Sequence, residues 1–232
     1  MAECTNSHWL DAMHLASASL PVGGFAYSQG LEQACETGIV HDLSSAQRWI
    51  GDYMQLVIAR QELPWWVAIW DACRDGDGSA IEQAVSSLHA LRETAELRLE
   101  SRQMAHALLQ LYAQWLPENT IDHVLSPGSC KVLGNDYSAA HAALCVWRGL
   151  PKEIGLSAWL WSWLDTQVLA AVKLVPLGQV DGQRLMHALK PMIDGSIQQA
   201  LGTDVSEAGS AAFGLVIAST RHETQYTRLF RS

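Results

Sequence analysis

The sequence predicts an all-α protein, a single-domain bundle of about seven to ten helices, on three observations. Apolar residues recur at helical spacing along nearly the whole chain. Alternating Val, Ile and Thr runs and Asn-Gly hairpin signals, both typical of strands, are absent. No linker or low-complexity stretch divides the 232 residues. We therefore expect one domain over residues 1–232.

Three helical segments are expected in the first half of the chain, separated by helix breakers. Proline lacks a backbone N–H donor, and glycine tolerates left-handed backbone angles. Asp42 or Ser44 can cap the second segment, and Pro64 should kink or divide it. In order, the expected segments run from about Phe25 to Gly38, from Asp42 past Pro64 to a turn at 74–80, and from Ile81 to Leu116.

Four more segments are expected after a loop that Pro117 and "SPGS" (126–129) indicate. Asp136 is a candidate cap for the first of them, which Gly149 and Pro151 should close. The remaining three cover Ala158–Val175, Gln183 to about Gln199 with an interruption near Pro191, and Ser210–Glu223.

The stretch Ala158–Val175, "AWLWSWLDTQVLAAVKLV", approaches the length of a membrane span. Asp165 lies near its middle, where a charge is costly in lipid, so we expect a buried helix instead. Its tryptophans lie on opposite faces, with Trp159 and Trp163 on one and Trp161 on the other. A helix that is apolar all round must be covered all round. It is either central in the core or completes its burial against a second copy of the chain.

Composition excludes several classes of function. The formal net charge of −9 argues against a nucleic-acid partner, because phosphate binding needs a basic face. The N-terminus has neither the basic start nor the apolar stretch of a secretory signal. The five cysteines are odd in number and form no CxxC pair, which is typical of a reduced compartment. We expect a cytoplasmic protein.

No arrangement of residues indicates catalysis or a bound cofactor. The "PVGG" stretch at 21–24 lacks the lysine of a phosphate-binding loop and is more simply a structural corner, and no GxSxG motif is present. The nearest approach to a metal site is His141 with Cys145, four residues apart on one helix face, with Cys130 upstream. A histidine packed beside a small apolar cysteine explains the pair equally well. We therefore expect no catalytic, cofactor or metal residues.

The last stretch, "STRHETQYTRLFRS" (Ser219–Ser232), interleaves arginines with apolar side chains. Tyrosine and arginine are the residue types that dominate protein interfaces. Two interpretations remain open: the segment folds back on its own domain, or it is a tail over 222–232 that docks on a partner, with Tyr226, Leu229 and Phe230 filling pockets.

Three stretches together resemble the urease accessory protein UreF family: "LPVGGFAYSQGLE" (Leu20–Glu32), "KLVPLGQVDGQRLM" (Lys173–Met186) and "HETQYTRLFRS" (His222–Ser232). The resemblance implies a dimeric, non-enzymatic assembly factor. Such a protein binds UreD (UreH in some organisms) and recruits the nickel-carrying GTPase UreG to apo-urease. It is also proposed to regulate GTP hydrolysis or the fidelity of metal delivery.

The resemblance also implies that partner-binding residues lie within these stretches. The expected set is Pro21, Gly23, Gly24, Phe25, Tyr27, Ser28, Gln29, Gly30, Glu32, Lys173, Pro176, Gly178, Gln179, Gln183, Arg221, His222, Glu223, Tyr226, Arg228, Leu229, Phe230 and Arg231. A helical protein that binds a small molecule or haem remains the alternative, and it would need a histidine ligand inside a pocket. A structural oligomer without a client protein is a further alternative.

Overall fold

The computed structural model describes residues 5–115, 131–210 and 212–232, and these residues contain α-helices and no strand. Eleven α-helices have both ends within the described residues: α1 (Asn6–Leu15), α2 (Leu31–Glu36), α3 (Leu43–Tyr53), α4 (Leu63–Asp75), α5 (Gly78–Ala90), α6 (Ala95–Ala113), α7 (Tyr137–Trp147), α8 (Lys152–Leu174), α9 (Gln179–Leu189), α10 (Met192–Gly202) and α11 (Phe213–His222). The all-α prediction is confirmed. The count is consistent with the expected seven to ten, because some expected segments are divided in two.

The segment after Asp42 runs without a loop through α3, a π-helical turn over Met54–Glu62, and α4. Asp42 is its cap: its side chain accepts a hydrogen bond from Ser45 N at 2.8 Å. Pro64 stands in the first turn of α4. Since proline has no N–H to donate to the preceding turn, the regular bonding pattern changes just before it. No loop divides the segment at Pro64, and the proline marks a change from π-helical to α-helical bonding.

The single helix expected over Ile81–Leu116 is wrong, because the structure divides it into α5 and α6. Thr94 caps α6 by accepting a hydrogen bond from Leu97 N. The break lets Arg92 turn inward, where it donates to Glu62 Oε1 at 2.6 Å and to Asp136 Oδ2 at 2.9 Å. A buried ion pair of this kind depends on tertiary structure, and local helix propensity does not reveal it. The expected end at Leu116 and the loop at 117 and 126–129 lie outside the described residues.

The first expected helix also begins later than Phe25. Gly24–Ala26 form one turn of 3₁₀ helix, and α2 starts only at Leu31, after Gly30. Gly38, with φ of +74°, follows the end of α2 as expected. The candidate cap Asp136 is confirmed, since its side chain accepts from Ser138 N at 2.9 Å at the start of α7.

The tryptophan-rich helix α8 lies at the centre of the bundle and packs against α1, α2, α7, α9 and α10. Trp159 and Trp163 are buried in the core, as the core interpretation predicts. On the other face, Trp161 is 37% exposed and Leu169 is 38% exposed, so this chain alone leaves part of the helix uncovered. Among the described residues, none of the helices combines the length and apolarity needed to cross a bilayer.

Candidate partner-binding site

The corner between α1 and α2 is a rigid platform rather than a ligand loop. Gly23 and Gly30 have φ of +81° and +85°, in the left-handed region that favours glycine. A Cβ at Gly30 would lie 3.0 Å from the Ser219 backbone nitrogen of α11. Tyr27 Oη donates to Gln103 Oε1 of α6 at 2.7 Å. These contacts hold the corner against α6 and α11.

The end of the chain lies in extended form along this corner. Arg231 N donates to Ala26 O at 2.8 Å. Ser28 N and Ser28 Oγ both donate to Ser232 O, at 2.8 and 2.6 Å, and Gln29 N donates to the same oxygen at 3.1 Å. Main-chain bonds of this kind hold a segment by its backbone and leave alternate side chains free to face outward.

Glu32, at the start of α2, is buried and holds the next part of the segment. Its carboxylate accepts hydrogen bonds from Leu229 N at 2.6 Å and from Phe230 N at 2.9 Å. It also faces His222 Nε2 at 3.0 Å. Two backbone donors on one buried carboxylate make the desolvation of its charge tolerable, because buried charges need hydrogen-bonding partners.

Two glutamates of α6, one turn apart, continue the contact. Glu96 pairs with His222 Nδ1 at 2.7 Å and with Arg228 Nη1 at 2.5 Å. Glu100 accepts from Ser232 Oγ at 2.6 Å and from Gln29 Nε2 at 2.7 Å. Burial raises the pKa of Glu100 to about 7, against the opposing effect of these two hydrogen bonds.

Lys173, at the C-terminal end of α8, joins the same cluster. Its Nζ lies 5.5 Å from the ring centroid of Phe230, within cation–π distance. The structure therefore brings together the corner, the start of the 173–186 stretch and the last eleven residues. The other candidates of that stretch lie on the surface, and no described contact joins them to the cluster: Pro176, Gly178, Gln179 and Gln183.

One candidate role is corrected by this geometry. Phe230 is only 5% exposed, because it packs into its own chain, so it does not project towards a partner. Two nearby side chains are open to solvent instead: Leu229 is 67% exposed and Tyr226 is fully exposed. Of the two interpretations of the tail, folding back on its own domain is confirmed for the backbone and Phe230. Whether the segment also contacts a partner stays a prediction.

Some of the remaining candidate residues make contacts that support the fold, and the others are exposed on the surface. Glu223 accepts a hydrogen bond from Ala95 N at 2.7 Å and so supports the first turn of α6. Gly24 packs against α8, where an added Cβ would lie 3.3 Å from Thr166 Cγ2. The exposed candidates are Pro21, Phe25, Arg221 and Arg231.

The pair His141 and Cys145 lies in the core of α7. Trp66 Nε1 donates to His141 Nδ1 at 3.3 Å, and Cys145 Sγ lies 3.5 Å from the same nitrogen. Burial lowers the pKa of His141 to about 3. In the part of the chain that the structure describes, no group of three metal-ligating side chains occurs, and Cys130 lies outside that part. The core interpretation of the pair accounts for these contacts.

A cavity under the corner bears on the haem alternative. Its described walls include Tyr27, Tyr53, Met104 and Trp163, and none of the described lining residues is a histidine or cysteine. The axial histidine that the haem interpretation requires is therefore not supplied by these residues.

Sequence reasoning missed Glu96 and Glu100, which hold the terminal segment from α6. Their spacing of four residues places them on one helix face, which is a usable signal. It does not indicate what they face, because their partners lie at least 71 residues away in sequence.

Together these features define a class: an all-α protein whose N-terminal corner and C-terminal segment form one fixed surface with exposed aromatic, apolar and basic side chains. The UreF family model matches residues 40–190. The chain is 46% identical over 231 residues to the urease accessory protein UreF of Pseudomonas aeruginosa PAO1, covering 98% of this chain and 100% of that protein. It is 42% identical over 223 residues to UreF of Bordetella parapertussis, covering 95% and 100%. The chain belongs to the UreF family.

Proposed function

We propose that this chain is a urease maturation factor, a non-enzymatic scaffold that acts in the cytoplasm on the assembly of the nickel centre. Similarity to proteins named urease accessory protein, along nearly the whole chain, supports this role. The observation that carries the proposal is the fixed terminal segment. The Leu229 side chain is exposed although the backbone N–H groups of Leu229 and Phe230 are tied to Glu32, and Tyr226, three residues earlier, is fully exposed. An apolar side chain held outward in this way loses little conformational entropy when a partner covers it.

UreD (UreH) is the partner proposed for this surface. The exposed members of the three stretches supply its chemistry: Phe25, Tyr226 and Leu229 as apolar anchors, with Arg228 and Arg231 as donors to carboxylate or carbonyl groups. UreG is then recruited to the complex, and nickel reaches apo-urease through the assembly. Lys173 and the exposed 176–183 stretch are the proposed route of communication with the GTPase, whose hydrolysis or metal-delivery fidelity the chain would regulate.

A homodimer is the proposed resting state. Trp161 and Leu169, with the partly buried Asp165 between them, leave a strip of α8 uncovered in the single chain. A specific dimer buries about 800 Å² per partner, and the strip would form only its centre. Sedimentation of the wild type and of Leu169→Ser at tens of micromolar, a concentration chosen to exceed about micromolar dissociation constants, tests this. A wild type that stays monomeric alone and with UreD contradicts the dimer.

The proposed UreD surface is tested by capture and by urease activation at fixed nickel. Leu229→Ala and Tyr226→Ala should keep the fold and lose capture of UreD and recruitment of UreG. Ile39→Ala is the matched control, because Ile39 is an exposed apolar residue outside the three stretches. If both surface variants capture UreD as fully as the control does, the terminal segment is not the docking surface.

A further inference from the structure

The cavity under the corner is a partly enclosed space that the corner, α6, α7 and α8 surround. Its volume is about 80 Å³. Since a single buried water needs about 10–15 Å³, the cavity has room for about five non-hydrogen atoms. Phe25 and Leu169 line it and are exposed, so the cavity opens to solvent in the single chain. Its size and its opening allow a small molecule to enter.

Two buried polar atoms in the cavity wall have no hydrogen-bonding partner in the described part of the chain. They are Gln167 Oε1, an acceptor, and Trp159 Nε1, a donor, on residues that are 1% and 5% exposed. Buried polar groups in folded proteins are almost always hydrogen-bonded, and an unpaired one costs free energy. The two atoms are therefore contact points for bound molecules that bring a donor and an acceptor.

Glu100 adds a negative charge to the same wall. It is 5% exposed, and both of its hydrogen bonds come from neutral side chains. Arg92, the cation among the described lining residues, is already paired with Glu62 and Asp136. Among the described residues, no cation forms an ion pair with Glu100. Because a buried carboxylate is costly without a positive partner, the cavity favours a ligand with a positive charge.

Aromatic rings form much of the remaining wall. Tyr53 and Trp163 meet edge to face with their ring centroids 5.5 Å apart, and Tyr27 belongs to the same lining. Gln29 holds Trp163 by accepting a hydrogen bond from its Nε1 at 2.8 Å. The φ of Gln29 is +52°, a left-handed value that is uncommon outside glycine and that clusters at ligand sites. Ring faces attract organic cations and offer their alkyl groups an apolar surface.

We propose that this cavity binds a small organic ammonium ion of about four non-hydrogen atoms together with one water molecule. The Glu100 carboxylate supplies the opposite charge, and the rings of Tyr53 and Trp163 pack against the alkyl group. Gln167 Oε1 accepts a hydrogen bond from the ammonium group, while the water accepts one from Trp159 Nε1. A divalent metal ion is a poorer occupant, because it needs several oxygen ligands and this wall is largely aromatic and apolar.

Isopropylammonium and 2-propanol test the charge, because they share one shape and differ only in an NH₃⁺ or OH group. Both are titrated into the full chain by NMR at about pH 8, where Glu100, with its pKa raised by burial to about 7, is ionised. We expect a dissociation constant of about 1–10 mM for isopropylammonium, as suits so small a ligand. The constant for 2-propanol should be at least about tenfold higher. Equal affinities, or no binding of isopropylammonium at about 100 mM, overturn the proposal.

Glu100→Gln tests the carboxylate, because it removes the charge and keeps the size of the side chain. It should abolish the preference for isopropylammonium over 2-propanol. Glu82→Gln is the matched control, since Glu82 is an exposed glutamate of α5 outside the cavity lining, and it should leave the preference intact. A preference that survives Glu100→Gln overturns the proposal.

The wild type alone also decides the question, should Glu100→Gln fail to fold. Nuclear Overhauser effects between the methyl protons of isopropylammonium and the ring protons of Tyr53 and Trp163 place the ion in the cavity. Effects to surface residues only refute the site. None of these measurements involves urease or its other accessory proteins, so their outcome is independent of the proposed function.

Discussion

Phe230 and Leu229 are adjacent, yet the structure predicts opposite effects of replacing them. Phe230 is 5% exposed and lies under Lys173, whereas Leu229 is 67% exposed. Truncating a buried phenylalanine to alanine costs about 3–5 kcal/mol in a core. Phe230 lies on the extended terminal segment and outside the helices of the bundle, so we expect a cost below that of a central core position. We therefore expect Phe230→Ala to lower the free energy of unfolding by about 2–3 kcal/mol, which is near the burial free energy of one such side chain.

The two variants are compared by urea and thermal unfolding on matched preparations. For a chain of this length, 2–3 kcal/mol corresponds to a fall in melting temperature of about 5–10 °C. Leu229→Ala should stay within about 0.5 kcal/mol of the wild type, as exposed sites usually do, and should lose UreD capture instead. Equal stabilities of the two variants would refute the docked position of Phe230.

Three further predictions follow from the same cluster. Lys173→Ala should lower the free energy of unfolding by about 0.5–1 kcal/mol, the usual value of an exposed cation–π contact with a ring such as Phe230. It should nevertheless alter urease activation across a range of nickel supply, and unchanged activation contradicts the proposed role of Lys173. Glu100→Gln should raise stability over the wild type at about pH 8 but not at about pH 5, because the folded state favours the protonated carboxyl; urea titrations at both values check this. Gly30→Ala should destabilise by more than about 1 kcal/mol, because its φ is +85° and the α11 backbone is close. Gly178→Ala, with open space around it, is the control for thermal unfolding and should be nearly neutral.

Local sequence signals predicted helix caps and helix ends where neighbouring residues alone determine them. Asp42 and Asp136 were expected as caps because an acidic side chain before an apolar helical pattern satisfies free N–H groups, and both are caps. Gly38 was expected as a break because glycine tolerates left-handed angles in any context, and it follows the end of α2, whereas Pro64 marks only a change of helix type.

The sequence failed where distant residues decide the local structure. The chain between α5 and α6 has good helix formers, yet it turns so that Arg92 reaches Glu62 and Asp136, and no pattern within 81–116 indicates that ion pair. The candidate site shows the same limit. The sequence around Phe230 predicts an interface anchor, and only the contact of Phe230 with Lys173 of α8 shows that its own chain buries it.

The hydrogen bond from Ser28 Oγ to the Ser232 carbonyl oxygen joins residues 204 positions apart in sequence, so it cannot form until the chain has been synthesised as far as Ser232. While a ribosome is still making the middle of the chain, the corner at 26–32 has no segment to bind, and its carboxylate at Glu32 lacks two of its donors. Contacts with such wide sequence separation form late in folding, because the loop they close is long. The surface proposed to bind UreD is therefore completed last. A chain that lacks residues 228–232 cannot present it, so a partner that binds this surface would discriminate against copies in which this segment is missing or undocked.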